Sequence, residues 1–245
     1  MDCCYIGIDL GSTTTKAVFL DEDEKILGRG ITNSRSNYEL ACQVAREEAE
    51  INARFELLKR RLAENPRVYP QIDAVMANLA CEYALAQHLK QLEALRNEGA
   101  SIVKHWTHHT DEFDQYLDAQ ETIFDSLMLQ AYEDFVPDAE VQSDFFRDLA
   151  TSLYLKQADV LAKERSLSFE RLVGVFDAAI IRVENKSFAL FYQEYLEFAC
   201  RRLVEMEQFK ELKADILKAV DEIAKKEFNI LNTVGTGYGR LTLPF

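Results

Sequence analysis

The residues best suited to chemistry lie together near the start of the chain, in the segment Asp9–Lys16, which reads DLGSTTTK. A carboxylate ends an apolar stretch, a glycine lets the chain turn, and hydroxyl side chains precede the lysine. Backbone amides oriented by such a turn form a nest for an anion, and a lysine adds a point charge that suits a phosphate. Asp9 could orient water around a Mg²⁺ ion that bridges phosphate oxygens. The segment predicts a phosphate site, and a hairpin turn that only needs Gly, Ser and Thr is the alternative.

A second glycine-rich segment lies near the other end, where the apolar stretch 228–234 is followed by GTGYGR at 235–240. Glycines at every second position indicate a backbone that something approaches closely, or a tight turn after a strand. The segment is not the dinucleotide fingerprint, which needs G-x-G-x-x-G opening a helix near the start of a βαβ unit. The chain also lacks the G-x-x-x-x-G-K-[ST] pattern, which excludes a P-loop.

The elements that must position these segments follow from where glycine and proline fall. Only Gly99, Gly174 and three prolines interrupt residues 31–234, and a stretch so poor in breakers predicts helix almost throughout 38–227. The flanking apolar stretches predict strands, the first three of them antiparallel. These strands are 5–10, 15–21, 25–33 and 229–234.

Within the helical block, apolar residues recur at spacings of three and four, as on one face of an amphipathic helix. One such face is predicted to be buried, with the charged positions between its residues exposed, and consists of Ile72, Met76, Leu79 and Tyr83. Less regular patterns cover 113–135, 145–161 and 169–203, and breaks are predicted at Pro66, Pro70 and Pro137. The block therefore predicts five or six helices packed as a bundle.

Composition excludes several function classes. The 28 basic and 42 acidic residues give a net charge of −14, which argues against nucleic acid as a partner. No apolar run reaches the ~20 residues of a membrane span, and the N-terminus lacks the basic region of a signal peptide. Five scattered cysteines fit a reducing cytoplasm better than a disulfide framework.

Three of the four histidines cluster at His105, His108 and His109, close to Asp111. On one helix their spacings would suit a transition-metal site. A polar inter-helix loop is the alternative, since the Thr-Asp-Glu sequence at 110–112 is typical of a helix N-terminus. Trp106 beside them is interpreted as a core aromatic rather than an interface anchor.

The DLGSTTTK hairpin resembles the first phosphate loop of the actin, sugar-kinase and Hsp70 ATPase superfamily. Together with NTVGTGYGR it is similar to the family of ATP-driven electron activators, which includes the activator of 2-hydroxyacyl-CoA dehydratases and the ATPase subunits of benzoyl-CoA reductase. The stretch from Ile26 to Glu50, followed by a long helical insertion, is most similar to the larger ATPase subunit of that reductase. The resemblance covers roughly residues 3–50 and 228–245.

The resemblance implies roles for individual residues. Asp9 would contact Mg²⁺ through water and would orient the water that attacks the phosphate. The residues implied to contact the β- and γ-phosphates of ATP are Gly11, Ser12, Thr13, Thr14 and Lys16. A family signature without assigned individual roles is formed by Thr236, Gly237, Tyr238, Gly239 and Arg240.

The fold implied is α/β, an actin/Hsp70/sugar-kinase-like (ribonuclease H-like) ATPase half-domain with a large all-α insertion. In this fold the strand 229–234 would return beside the first strand. Its parts would be the phosphate-loop hairpin at 1–37, the helical insertion at 38–227 and the return to the ATPase domain at 228–245. The function implied is ATP hydrolysis that drives low-potential electron transfer for benzoyl-CoA reduction. The alternatives are a 2-hydroxyacyl-CoA dehydratase activator, a sugar or acyl kinase of the superfamily, and a non-catalytic helical scaffold.

The resemblance also implies parts that this sequence does not contain. The second phosphate motif, the adenosine-binding segment and the iron–sulfur cysteines of the family normally follow the TGYGR loop, so we expect residues 1–245 alone to be inactive. A [4Fe-4S] cluster is expected for a complete family member, although its ligands are not identified in this chain. The implied partners are a second ATPase subunit, the substrate-reducing subunits and ferredoxin as electron donor.

Overall fold

The computed structural model describes residues 2–34, 37–106, 111–137 and 145–237, which form a mixed α/β structure. The strands are β1 (Asp2–Leu10), β2 (Thr14–Leu20), β3 (Ile26–Asn33) and β4 (Phe228–Gly237). The α-helices are α1 (Tyr38–Ala63), α2 (Ile72–Lys104), α3 (Asp111–Asp134), α4 (Phe146–Arg165), α5 (Phe169–Glu184), α6 (Tyr192–Glu205) and α7 (Lys213–Ala224). Short 3₁₀ turns at Tyr69–Gln71, Ala189–Phe191 and Glu207–Leu212 lead into α2, α6 and α7.

The four strands form one sheet in the order β3-β2-β1-β4. Strands β1, β2 and β3 are antiparallel to their neighbours, whereas β4 lies parallel to β1. The predicted arrangement of the four strands is therefore confirmed. A parallel neighbour cannot follow through a tight turn and needs a long connection, which the helices between β3 and β4 supply.

Helix α1 covers one face of this sheet at very short range. A Cβ atom built on Gly30 would lie 2.0 Å from the carbonyl oxygen of Ala45, and one on Gly28 would lie 2.1 Å from that of Ala49. The facing residues of α1 are also small, since Ala45, Ala49 and Ala53 are fully buried there. The two glycines, which by their type weaken the prediction of a regular third strand, are therefore required for close helix–sheet packing.

The outer edge of β3 is protected by the same helix. The Ile31 amide donates to the Glu48 carboxylate at 2.9 Å, and the Asn52 side-chain amide donates to the Arg29 carbonyl at 2.7 Å. Unpaired backbone groups on an edge strand are a template for unwanted pairing with other chains. Polar side chains on α1 bond to these two backbone groups, so the groups are not available to pair with another chain.

The helical prediction for 38–227 is confirmed over the described part of that range, with seven α-helices instead of five or six. The difference arises in the apolar pattern 169–203, which is divided between α5 and α6. Helix α5 ends at Asn185, whose side chain donates to the Ile181 carbonyl at 2.8 Å and so satisfies one of the last carbonyls of the helix. The predicted breaks at Pro66, Pro70 and Pro137 all lie outside α-helices.

The predicted buried face at the start of α2 is confirmed for most of its residues. Ile72, Leu79 and Tyr83 are buried, whereas Met76 is only half-buried. Of the charged positions between them, Asp73 is exposed as predicted, but the prediction is wrong at Glu82, which is buried next to Tyr83 in the sequence. The periodicity therefore located the buried face correctly except at Met76.

The chain divides into two compact units, the first formed by Met1–Ala80 with Ala189–Phe245 and the second by Cys81–Phe188. The second unit is helical in its described residues and has its own apolar core, which includes Phe124, Phe176 and Tyr154. The Gln120 side chain donates to the Tyr154 hydroxyl at 2.6 Å, and that hydroxyl donates to the Leu172 carbonyl at 3.1 Å. Because buried polar groups must find partners, these two hydrogen bonds help to fix the packing of α3, α4 and α5 against one another.

Arg54 on α1 ties the helices of the first unit to the start of β4. Its guanidinium donates to the Lys226 carbonyl at 2.7 Å and the Ile223 carbonyl at 3.3 Å, at the C-terminal end of α7. It also lies over the Phe228 ring, 4.8 Å from the ring centroid. We expect Arg54→Met to lower the free energy of unfolding by about 2 kcal/mol, because buried carbonyls lose charged donors. Urea denaturation followed by circular dichroism measures this change.

The matched control is Arg60→Met, on the same helix. Arg60 pairs with Glu56 at 2.9 Å and Asp21 at 3.3 Å, but its side chain is 43% exposed. Exposed ion pairs contribute less than about 1 kcal/mol, so this variant should be close to wild type. Equal losses in the two variants would contradict the role assigned to Arg54.

Candidate phosphate site

Three polar side chains form a row across the sheet beside the β1–β2 turn. Asp9 on β1 pairs with Lys16 on β2 and with Thr236 on β4. Paired residues on neighbouring strands place their side chains on the same face, roughly 5 Å apart. All three residues are exposed, on the face opposite the apolar core that α1 covers. A carboxylate, an ammonium group and a hydroxyl are therefore available together to a bound ligand.

The turn that follows Asp9 is compact. The Gly11 amide donates to the Thr14 carbonyl at 3.2 Å, and a Cβ atom on Gly11 would lie 2.7 Å from that carbonyl oxygen. A side chain at position 11 would therefore open the turn. Ser12 and Thr13 at its tip are exposed, and Thr14 is half-buried. The predicted residues Gly11, Ser12, Thr13 and Thr14 thus lie at one accessible turn, and Lys16 follows on β2.

The second glycine-rich segment approaches this turn directly. Gly237, the last residue of β4, pairs with Leu10 and has a φ of +95°. A Cβ atom there would lie 2.3 Å from the Leu10 carbonyl oxygen, so both the backbone conformation and the available space require glycine. The structure therefore brings Thr236 and Gly237 beside the Asp9 turn. The remaining signature residues Tyr238, Gly239 and Arg240 are outside the described residues.

Two buried hydroxyls beneath the turn were not among the predicted site residues. The Ser34 hydroxyl donates to the Gly11 carbonyl at 2.6 Å and lies 2.9 Å from the Thr15 hydroxyl. The Ser34 amide donates to the Thr13 carbonyl at 2.9 Å. Both side chains are fully buried. Sequence reasoning missed Ser34 because it is 23 residues from Gly11, and only the strand pairing brings the two together.

The histidine cluster cannot be assembled from the described residues, because His108 and His109 are outside them. His105 lies just after α2, exposed, with its Nδ1 atom 2.6 Å from the Ser101 carbonyl oxygen. Trp106 is half-buried and packs edge-on against Tyr116 of the core of the helical unit, with ring centroids 5.1 Å apart. The interpretation of Trp106 as a core aromatic is thus supported.

All five cysteines are free thiols. Burial raises the pKa of the Cys200 thiol to about 12 and also raises the pKa of Cys42. Metals and iron–sulfur clusters bind the thiolate form, so these two buried thiols are poor ligands. In the described part of the chain, no three His, Cys, Asp or Glu side chains are grouped to hold a metal ion.

No helix among the described residues is both long enough and apolar enough to cross a membrane.

A family model described as the BadF/BadG/BcrA/BcrD ATPase family matches residues 6–245. No curated protein and no solved structure matches the chain. The match includes β1 from Ile6 onward, the turn at Gly11 and the whole of β4.

Proposed function

Because this chain belongs to the BadF/BadG/BcrA/BcrD ATPase family, we propose that it binds ATP at the turn between β1 and β2 and takes part in its hydrolysis. The observation that carries the proposal is the row formed by Asp9, Lys16 and Thr236 beside an accessible glycine turn. A turn of this kind offers backbone amides and hydroxyls to phosphate oxygens, and a nearby lysine neutralises their charge. The proposed phosphate ligands are Gly11, Ser12, Thr13, Thr14 and Lys16.

The residues present also fit a Mg²⁺ ion. Magnesium binds oxygen ligands, usually one or two carboxylates with water and substrate phosphates. Asp9 offers an exposed carboxylate next to the turn, and Thr236 offers a neighbouring hydroxyl. When bound, the ion would neutralise charge on the phosphates. Asp9 would hold water on this ion and orient the water that attacks the terminal phosphate, while Lys16 fixes the phosphate chain.

At the level of the domain, we propose an actin- and Hsp70-like, ribonuclease H-like ATPase fold. The antiparallel β3-β2-β1 strands with β4 parallel to β1 support this assignment. Residues 38–227 would be an insertion between the parts 1–37 and 228–245, with the compact unit Cys81–Phe188 as its separately packed portion. Long insertions on catalytic scaffolds often carry recognition, and this one would dock partner subunits or cover the CoA side.

At the level of the pathway, we propose that ATP hydrolysis in the complete cytoplasmic protein drives low-potential electron transfer into benzoyl-CoA reduction. Ferredoxin would donate the electrons, and a second ATPase subunit and substrate-reducing subunits would complete the complex. Hydrolysis would change the surroundings of a [4Fe-4S] cluster and hence its reduction potential. The sequence similarity to the larger reductase subunit supports this choice over the dehydratase activator and the kinases.

The phosphate site is tested by exchanging its two charged residues in the complete protein. We expect Lys16→Ala to weaken Mg-ATP binding about tenfold, because a charge-assisted phosphate contact is lost. We expect Asp9→Asn to lower turnover more than affinity, because it perturbs the ion and the attacking water. Calorimetric titration with Mg-ATP and steady-state ATPase rates measure the two effects.

The matched control is Lys25→Ala, in the exposed turn between β2 and β3, where the lysine side chain pairs with Asp23 and its backbone amide donates to Asp21. It should bind and hydrolyse ATP as wild type does. Wild-type behaviour of both Lys16→Ala and Asp9→Asn would show that the turn is not the phosphate site. If the wild type does not bind ATP, the alternative of a non-catalytic helical scaffold is favoured. A measurement of ATP-dependent electron transfer distinguishes the reductase role from that of a kinase.

A further inference from the structure

The Ser34 side chain and backbone bond to the β1–β2 turn from inside the fold. Its hydroxyl has one hydrogen, which is given to the Gly11 carbonyl at 2.6 Å, so the Thr15 hydroxyl 2.9 Å away must be the donor to Ser34. The Ser34 amide donates to the Thr13 carbonyl at 2.9 Å. One residue therefore binds two alternate carbonyls of the turn that carries the proposed phosphate ligands.

These two bonds determine where the amides of the turn point. In a trans peptide the carbonyl and the following N–H are antiparallel, and the described chain has no cis peptide bond. When Ser34 holds the Gly11 and Thr13 carbonyls inward, the amides of Ser12 and Thr14 are turned away from Ser34. Amides fixed in advance toward an anion bind it more tightly, because little conformational freedom is lost at binding.

We propose that Ser34 is a positioning residue for phosphate binding, holding the amides of Ser12 and Thr14 toward the β- and γ-phosphates of ATP; this inference rests on the proposed function. Ser34 does not touch the nucleotide, because its side chain is fully buried. Its site leaves no freedom in side-chain position, since Ser34 Oγ is bonded to Gly11 on one side and to Thr15 on the other. It therefore acts only through the turn.

The test compares Ser34→Ala with Thr15→Val in the complete protein. Ser34→Ala removes the bond to the Gly11 carbonyl, whereas Thr15→Val removes a donor to Ser34 but no bond to the turn. Both variants lose one buried hydroxyl of the same network, so both should lower the melting temperature by similar amounts. Only Ser34→Ala should weaken binding of Mg-ATP and Mg-ADP, by about tenfold, because only there do the Gly11 carbonyl and the Ser12 amide of the same peptide become free to reorient.

Two further readouts separate positioning from general damage. Adenosine lacks phosphates, so its affinity should be unchanged in Ser34→Ala. The KM for ATP should rise while kcat at saturating ATP changes by less than about threefold, since bound phosphate restores the orientation of the turn. If Ser34→Ala does not fold, the double variant Ser34→Ala/Thr15→Val is used in its place in every measurement. In that variant the Thr15 hydroxyl, which would be left without an acceptor, is also removed.

The outcomes are distinguishable. If wild type binds no Mg-ATP, the proposed function fails and the role of Ser34 falls with it. If wild type binds Mg-ATP but Ser34→Ala and Thr15→Val lose equal affinity, or adenosine affinity falls with that of ATP, the proposed function stands and positioning by Ser34 is wrong. A phosphate-dependent loss confined to Ser34→Ala supports it.

Discussion

Replacing Gly30 with alanine should lower the free energy of unfolding by about 3 kcal/mol or more. The new Cβ would lie 2.0 Å from the Ala45 carbonyl oxygen and 2.7 Å from the Ala49 amide nitrogen. Both are backbone atoms of α1, so the clash cannot be relieved by a side-chain rotation. The helix must move away from the sheet, which opens the core between them. Urea denaturation monitored by circular dichroism measures the loss.

A glycine in open space provides the control for this substitution. Gly174 lies inside α5, and a Cβ atom built there meets nothing within 4 Å. Because alanine is a better helix former than glycine, Gly174→Ala should raise stability by up to about 1 kcal/mol. A Gly30→Ala variant within 1 kcal/mol of wild type would mean that α1 does not approach β3 as closely as described.

Acid should destabilise the helical unit through His88. This side chain is 5% exposed, with its ring 5.0 Å from Phe135 and 5.4 Å from Phe146. Burial lowers the pKa of His88 to about 4 from its usual 6.5, and the charge of Asp134 opposes this only in part. The folded state therefore disfavours the protonated imidazole. Above pH 6.5 the imidazole is neutral in both the folded and the unfolded state, so it does not change the free energy of unfolding. As the pH falls from 6.5 toward 4, only the unfolded state takes up the proton, and stability is lost.

The loss should reach about 3 kcal/mol once the pH has fallen to about 4. Comparison with His88→Leu isolates it, because the carboxylates of the chain titrate equally in both proteins. Urea midpoints at several pH values from 7.5 to 4 should fall more steeply for wild type than for the variant. Parallel curves, or an imidazole that titrates near pH 6.5 by NMR, would show that His88 is not held neutral.

The fold was largely predictable from local patterns. The strands at both ends and the helices between them follow from apolar periodicity and from the scarcity of breakers in residues 31–234. The division of 169–203 into α5 and α6 was not predictable, because Asn185 ends a helix through a local hydrogen bond that its residue type only permits. Met76 shows a similar limit, since periodicity indicates a face but not how completely a neighbour covers it.

By itself, the sequence determined the turn at Gly11, the second glycine segment and the strands that precede them. These features depend on residue type and short spacing, which local sterics control. Only the tertiary structure decided that Thr236 lies beside Asp9, that Gly28 and Gly30 admit α1, and that Ser34 bonds to the turn. Each of these contacts joins residues 15 or more positions apart, and such pairings depend on strand register and helix packing, which no local pattern encodes.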